Sequence, residues 1–102
     1  MSTNSLFKPF KSDKLELKNR IVMAPMTRNF SPGNVPGQNS IDYYRRRAEG
    51  GVGLIVTEGT CIDHIGASGY PNVPYMHGEA RLAGWKKVIE AVHAAGGKIA
   101  PQ

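Results

Sequence analysis

Polar side chains follow two apolar runs of this chain, at the points where buried strands would end. In the stretch Arg20 to Arg28, the run Ile21 to Met23 is stopped by Pro25. Proline has no N–H to give to a sheet ladder, so Thr27 comes where the strand ends. A hydroxyl at the carboxyl end of a buried strand is where an α/β enzyme presents a site. A core strand followed by an ordinary turn explains the same pattern.

A second strand is predicted over Gly53 to Glu58, with Gly59 and Thr60 directly after it. Its centre is continuously apolar, which is typical of a parallel strand that is buried on both faces. The stretch Lys98 to Gln102 predicts a third strand that ends with the sequence given. We therefore expect Pro25, Thr27, Gly59 and Gln102, which close these strands, to lie at one end of a parallel sheet. Leu15 and Leu17, in the hairpin that precedes the first strand, should lie at the other end.

Two helices are predicted between these strands. The first begins at an Asn39 cap, carries one narrow apolar stripe and ends at Gly50 and Gly51. The second runs from about Glu79 to Ala95 and shows a clear core stripe at helical spacing. The stripe residues of the two helices are Ile41, Tyr44 and Ala48, and then Leu82, Trp85, Val88, Ile89 and Val92. We expect Tyr44 and Trp85 to act as packing residues.

The remaining segments predict a hairpin, a tail and two loops. Leu6 to Lys18 predicts a β-hairpin with Leu15 and Leu17 on its apolar face, after a frayed tail over residues 1–5. Asn29 to Gln38 and Cys61 to Gly78 are rich in Gly and Pro and predict loops. Alternating strands and helices indicate parallel strands with right-handed crossovers. Such a sheet leaves open edges, so we expect part of a larger α/β protein.

Composition excludes several functional classes. The chain has 102 residues, 40% of them hydrophobic, and a formal net charge of +5. No apolar run approaches a membrane span, and no secretory signal is visible. Cys61 is the single cysteine, which fits a reducing cytoplasm. The Arg45-Arg46-Arg47 cluster is flanked by acidic residues, and zinc spacing and RNA-binding signatures are absent, so a solvated helix face is favoured over a nucleic-acid site.

Five motifs in order give the chain a resemblance to the old yellow enzyme family, the FMN-dependent ene-reductases. They are Leu17 to Arg28, Tyr43-Tyr44 with Arg47-Ala48, Gly53 to Gly59, Gly69 to Pro74, and Trp85 to Val88 with Ala91 to His93. The resemblance implies an α/β fold in which residues 1–102 are the N-terminal portion of one FMN-binding (β/α)8 TIM-barrel domain. That portion would comprise the lid hairpin and about two and a half βα units.

The resemblance also implies the cofactor site and the reaction. Pro25, Met26 and Thr27 resemble the segment that lies against the flavin ring, and Gly59 and Gln102 resemble further ring contacts. A threonine hydroxyl can hydrogen-bond a flavin carbonyl, and an amide can pair with an N–H beside a carbonyl. Tyr70, with Thr27, resembles the border of the substrate site.

The reaction implied is hydride transfer from NAD(P)H through FMN to the activated C=C bond of enones or related electrophiles. The resemblance places the groups that polarise and protonate the substrate beyond this sequence, so no catalytic or metal-binding residue is expected here. His64, His77 and His93 do not match those groups.

Three hypotheses follow. The chain is part of an ene-reductase that acts on a small molecule, without nucleic acid or membrane, and a homo-oligomer is left open. Alternatively, it is a non-catalytic remnant or an oligomerising piece. In the third hypothesis, it is a small basic module that binds nucleic acid or another acidic partner.

Overall fold

A computed structural model describes residues 4–102. Within them the regular elements are β1 (Phe10–Lys11), β2 (Glu16–Leu17), β3 (Val22–Met23), α1 (Gln38–Glu49), β4 (Leu54–Val56), α2 (Glu79–Ala94) and β5 (Lys98–Ala100). Short 3₁₀ turns occupy Asn4–Phe7, Pro32–Asn34 and Ile65–Ala67. This order of hairpin, strand, helix, strand, helix and strand confirms the predicted sequence of elements. No helix in the described part of the chain is long and apolar enough to cross a membrane.

The strands β3, β4 and β5 form a parallel sheet with β4 in the centre. Val22 pairs with Leu54, and Ile55 pairs with Ile99. Ile55 is fully buried because both neighbouring strands and the helices enclose it. The predicted parallel α/β arrangement is therefore confirmed.

The hairpin pairs β1 with β2 in antiparallel register, with Phe10 opposite Leu17. Leu17 is buried and Leu15 is half-buried. Both line an apolar hollow with Val22 and Leu54, the first residues of β3 and β4. The hairpin therefore lies at the amino ends of the parallel strands, as predicted.

The core forms where the two helices pack together against the sheet. It consists of Tyr44, Ala48, Ile55, Trp85, Val88 and Val92. The packing role predicted for Trp85 is confirmed. Tyr44 also packs in this core, and its hydroxyl has a further partner described below.

Two helix predictions are wrong in detail. Asn39 is not the cap of α1, because the helix starts at Gln38 after Gly37, and the amide of Asn39 instead donates to the Phe30 carbonyl at 3.0 Å. Leu82 and Ile89 are 48% and 38% exposed, so they do not belong to the core stripe of α2. Their spacing of two turns puts both on the same face of the helix, and Ile89 borders a small hollow beside β5.

The predicted tail and the start of the hairpin also change. Residues 1–3 of the tail lie outside the described residues. Asn4–Phe7 forms a 3₁₀ turn, and the backbone N–H of Arg20 donates to the Leu6 carbonyl at 2.8 Å. Leu6 and Phe7 therefore precede the hairpin rather than form part of it.

Candidate functional site

Thr27, Gly59 and Gln102 meet beyond the carboxyl ends of β3, β4 and β5. A β-carbon at Gly59 would lie 3.6 Å from Oε1 of Gln102 and 3.9 Å from Oγ1 of Thr27. The ends of parallel strands lie at the same edge of a sheet, which is why three residues so far apart in sequence come together. Their predicted convergence at the end opposite the hairpin is confirmed.

An open cavity of about 370 Å³ lies at this edge. Its lining comprises Thr27, Gly59, Thr60, Cys61, Ala67, Gly69, Tyr70, Val73 and Gln102. None of these side chains carries a formal charge at neutral pH, and several offer hydrogen-bond donors or acceptors, so the described lining suits an uncharged group with polar edges. Tyr70 borders the cavity and is 65% exposed.

Gln102 is held by its backbone, which leaves its side chain facing the cavity. Its N–H donates to Thr57 Oγ1 at 3.2 Å, and its carbonyl accepts from the N–H and hydroxyl of Thr60 at 3.0 and 2.7 Å. Within residues 4–102, no hydrogen bond engages the side-chain amide of Gln102. A donor and an acceptor are thus both available to a ligand.

Pro25 and Met26 do not line the cavity, although both are exposed just before Thr27. Their contact with a flavin ring stays a prediction, as do the ligand roles of Thr27, Gly59, Tyr70 and Gln102. His64, His77 and His93 also lie outside the lining.

The long loop that carries Tyr70 is tied to the loop before α1. The side-chain amide of Asn34 donates to the Val73 carbonyl at 2.8 Å, and the Asn34 carbonyl accepts from the N–H of Tyr75 at 3.0 Å. Asn34 and Asn72 adopt positive φ angles of 64° and 56°, which asparagine tolerates better than most residues. These bonds hold one wall of the cavity in place.

A buried polar cluster lies beside the cavity, and the sequence did not predict it. The Tyr44 hydroxyl donates to Oε2 of Glu58 at 2.8 Å and accepts from the Glu58 N–H at 2.8 Å. Nη1 of Arg28 lies 3.7 Å from the same carboxylate oxygen. Burial raises the pKa of Tyr44 well above its usual value, and the negative charge of Glu58 adds to this effect.

The sequence does contain a signal for this cluster, because two polar groups stand at positions predicted to be buried. A carboxylate directly after a continuously apolar strand, as at Glu58, needs a partner if the strand is buried. Tyr44 in the core stripe of α1 brings a hydroxyl into the core, which also needs a partner.

Comparisons with known proteins match nearly the whole chain to one family. The model of the NADH:flavin oxidoreductase / NADH oxidase family matches residues 5–102. The chain belongs to this family. Within it, the chain is 42% identical over 92 residues to 12-oxophytodienoate reductase 7 of Oryza sativa subsp. japonica, covering 90% of the chain and 23% of that protein. It is also 45% identical over 95 residues to a chanoclavine-I aldehyde reductase of Penicillium roqueforti (strain FM164). That match covers 92% of this chain and 26% of the reductase.

Solved structures from the family superpose on nearly the whole chain. A structure of morphinone reductase in complex with tetrahydroNAD aligns with a TM-score of 0.87 and 45% identity. The alignment covers 96% of this chain and 26% of morphinone reductase. The old yellow enzyme homologue of Zymomonas mobilis aligns with a TM-score of 0.86 and 37% identity. This alignment covers 96% of the present chain and 27% of the homologue. The chain thus spans about a quarter of the length of the relatives it matches.

Proposed function

We propose that residues 1–102 are the first part of one FMN-binding (β/α)8 barrel. In this proposal β3, β4 and β5 are the first three barrel strands, and the hairpin β1–β2 covers the amino end of the barrel. The parallel register of the three strands and their two helical crossovers support it. So does the alignment with a quarter of each family structure.

The observation that carries the functional proposal is the meeting of Thr27, Gly59 and Gln102 at the strand ends. Gly59 has no side chain, so a flat ring can approach its backbone between the other two residues. The amide of Gln102 offers a donor and an acceptor, which match an N–H beside a carbonyl on a flavin. The residues present therefore fit FMN.

Bound FMN would supply hydride chemistry, taking a hydride from NAD(P)H and passing it to the activated C=C bond of an enone or related electrophile. In that reaction the Thr27 hydroxyl would donate a hydrogen bond to a flavin carbonyl. Tyr70 and Thr27 would border the small-molecule substrate. The reductase names of the relatives, and the complex of morphinone reductase with tetrahydroNAD, support a reductase that uses a nicotinamide.

A chimera tests the proposal by placing the chain in a complete barrel. Residues 1–102 replace the matching quarter of morphinone reductase and keep their numbers here. We expect the purified chimera to carry FMN, to be reduced by NADH or NADPH, and to reduce 2-cyclohexenone. Morphinone reductase itself is the control.

A chimera that is folded by circular dichroism but binds no FMN would contradict the proposal. Tight, salt-dependent binding of nucleic acid by such a flavin-free chimera would favour the small basic module instead.

A further inference from the structure

Glu58 and Arg28 are buried charges next to the proposed flavin site. The side chain of Glu58 is 1% exposed and that of Arg28 is 13% exposed. Burial of a charge is unfavourable unless an opposite charge or hydrogen bonds compensate it. Arg28 and Tyr44 both approach Oε2 of Glu58 and offset part of this cost, whereas Oε1 of Glu58 and Nη1 of Arg28 have no hydrogen-bond partner within the described residues.

Each charge is one residue away from a proposed ring contact. Arg28 directly follows Thr27, and Glu58 directly precedes Gly59. β3 ends at Met23, and within the described chain no hydrogen bond between backbone groups holds residues 25–29. The side chain of Arg28 is therefore a principal anchor of the segment that presents Thr27.

Aromatic rings support the same anchor. The guanidinium carbon of Arg28 lies 3.9 Å from the ring centre of Tyr43 and 5.6 Å from that of Phe30. Tyr43 and Tyr44 are consecutive residues of α1, so this helix holds both Arg28 and Glu58. The ends of β3 and β4 are thereby fixed relative to each other through α1.

We propose that Arg28, Glu58 and Tyr44 form a buried clamp that positions Thr27 and Gly59 for contact with the flavin ring. This inference rests on the flavin site proposed above. All three members are positioning residues, because none of them lines the cavity. The clamp acts on flavin affinity and potential through the placement of Thr27.

The chain offers a matched pair of variants for the test. Tyr44→Phe removes the hydroxyl that bonds Glu58 twice, whereas Tyr43→Phe removes a hydroxyl for which no hydrogen bond is found within residues 4–102. Both are made in the chimera. Tyr44→Phe is expected to raise the Kd for FMN about tenfold, because a displaced Thr27 would lose its hydrogen bond to the flavin carbonyl. Tyr43→Phe is expected to change the Kd less than about twofold, because it keeps the ring that stacks on Arg28.

A double-mutant cycle on the flavin potential separates positioning from general stability. Thr27→Ala and Tyr44→Phe are each expected to lower the potential of bound FMN. If the clamp acts through Thr27, the double variant has the potential of Thr27→Ala alone. Additive shifts would overturn the clamp.

The remaining outcomes also decide. FMN binding by the chimera, with a Kd and potential that Tyr44→Phe leaves unchanged, would overturn the clamp and leave the proposed function standing. A folded chimera without FMN would overturn both. If Tyr44→Phe does not fold, the same cycle is run with Arg28→Lys, which keeps the charge but loses the guanidinium. The shift in flavin potential caused by Arg28→Lys is again expected to vanish in the Thr27→Ala background. Additive shifts in the double variant would overturn the clamp.

Discussion

Thr27 presents an exposed hydroxyl to the cavity, and a flavin carbonyl is the partner proposed for it. In the chimera we expect Thr27→Ala to lower the flavin potential, because reduction places negative charge on that carbonyl. Loss of a hydrogen bond to a charged group costs about 1.5–3 kcal/mol. This corresponds to roughly 30–65 mV for a two-electron couple. The potential is measured by equilibration with a reference dye, with Thr27→Ser as the control that keeps a hydroxyl.

Thr27→Ala is also expected to change the rates of the two half-reactions unequally. Reduction of the flavin by NAD(P)H should slow, and oxidation by the enone should suffer less, since a lower potential favours hydride donation. A potential equal to that of the parent would show that Thr27 does not contact the ring.

Tyr44 predicts a pH dependence of stability. Its pKa is raised in the folded state, so above about pH 10 the unfolded chain loses this proton while the folded chain keeps it. The stabilisation is fully present below the ordinary tyrosine pKa and declines as the pH rises beyond it. One such group changes the free energy of unfolding by about 1.4 kcal/mol per pH unit.

Urea unfolding of the chimera from about pH 9 to about pH 11 measures this decline. Tyr44→Phe should show a shallower alkaline decline than Tyr43→Phe, because titration of the other groups is common to both. Equal slopes would contradict the raised pKa.

For individual residues, the sequence predicted the positions that follow from strand order. Thr27, Gly59 and Gln102 each follow a strand, and parallel strands bring such ends together. Glu58 and Arg28 were missed because the burial of a charge depends on what packs over it. That packing comes from α1, which lies between Arg28 and Glu58 in the sequence and whose position over the two strand ends is set by tertiary packing.

Among the elements, α2 contacts the loop before α1 through a glycine. A β-carbon at Gly84 would lie 2.6 Å from the Pro36 carbonyl oxygen, which is too close. Gly84→Ala normally favours a helix, but here we expect it to destabilise the chimera by about 1–3 kcal/mol through overpacking. Gly69→Ala is the control, since nothing lies within 4 Å of its β-carbon position. Unfolding midpoints in urea provide the measurement, and a Gly84→Ala midpoint at or above that of the parent would contradict the close contact.

Element types were predictable, whereas their exact ends and faces were not. The apolar period placed both helices, and the glycines ended α1. Asn39 was mistaken for a cap because capping depends on backbone angles, and Gly37 adopts the extended conformation instead. The stripe of α2 was drawn too wide, because the apolar period does not reveal how much of a face the sheet covers.

For the whole molecule, the described chain leaves much of its sheet and helix surface open. β3 and β5 are the edge strands of its parallel sheet, and Leu82 and Ile89 are exposed on α2. Edges and apolar surface of this kind promote association with further chain. Alternating strands and helices predicted this architecture, because each helix connects two parallel strands.

We therefore expect residues 1–102 alone to bind FMN weakly and to leave enones unreduced. The cavity has no cationic side chain in its described lining, so a phosphate would lack the charged partner that normally holds it. The open edges should make the isolated chain associate as its concentration rises. Flavin fluorescence titration, size-exclusion chromatography and turnover with NADPH and 2-cyclohexenone test this, with the chimera as the control. A monomeric chain that bound FMN stoichiometrically and turned over would refute the incomplete-barrel proposal. The search for catalytic groups would then move to Tyr70, Tyr75, His64 and His77.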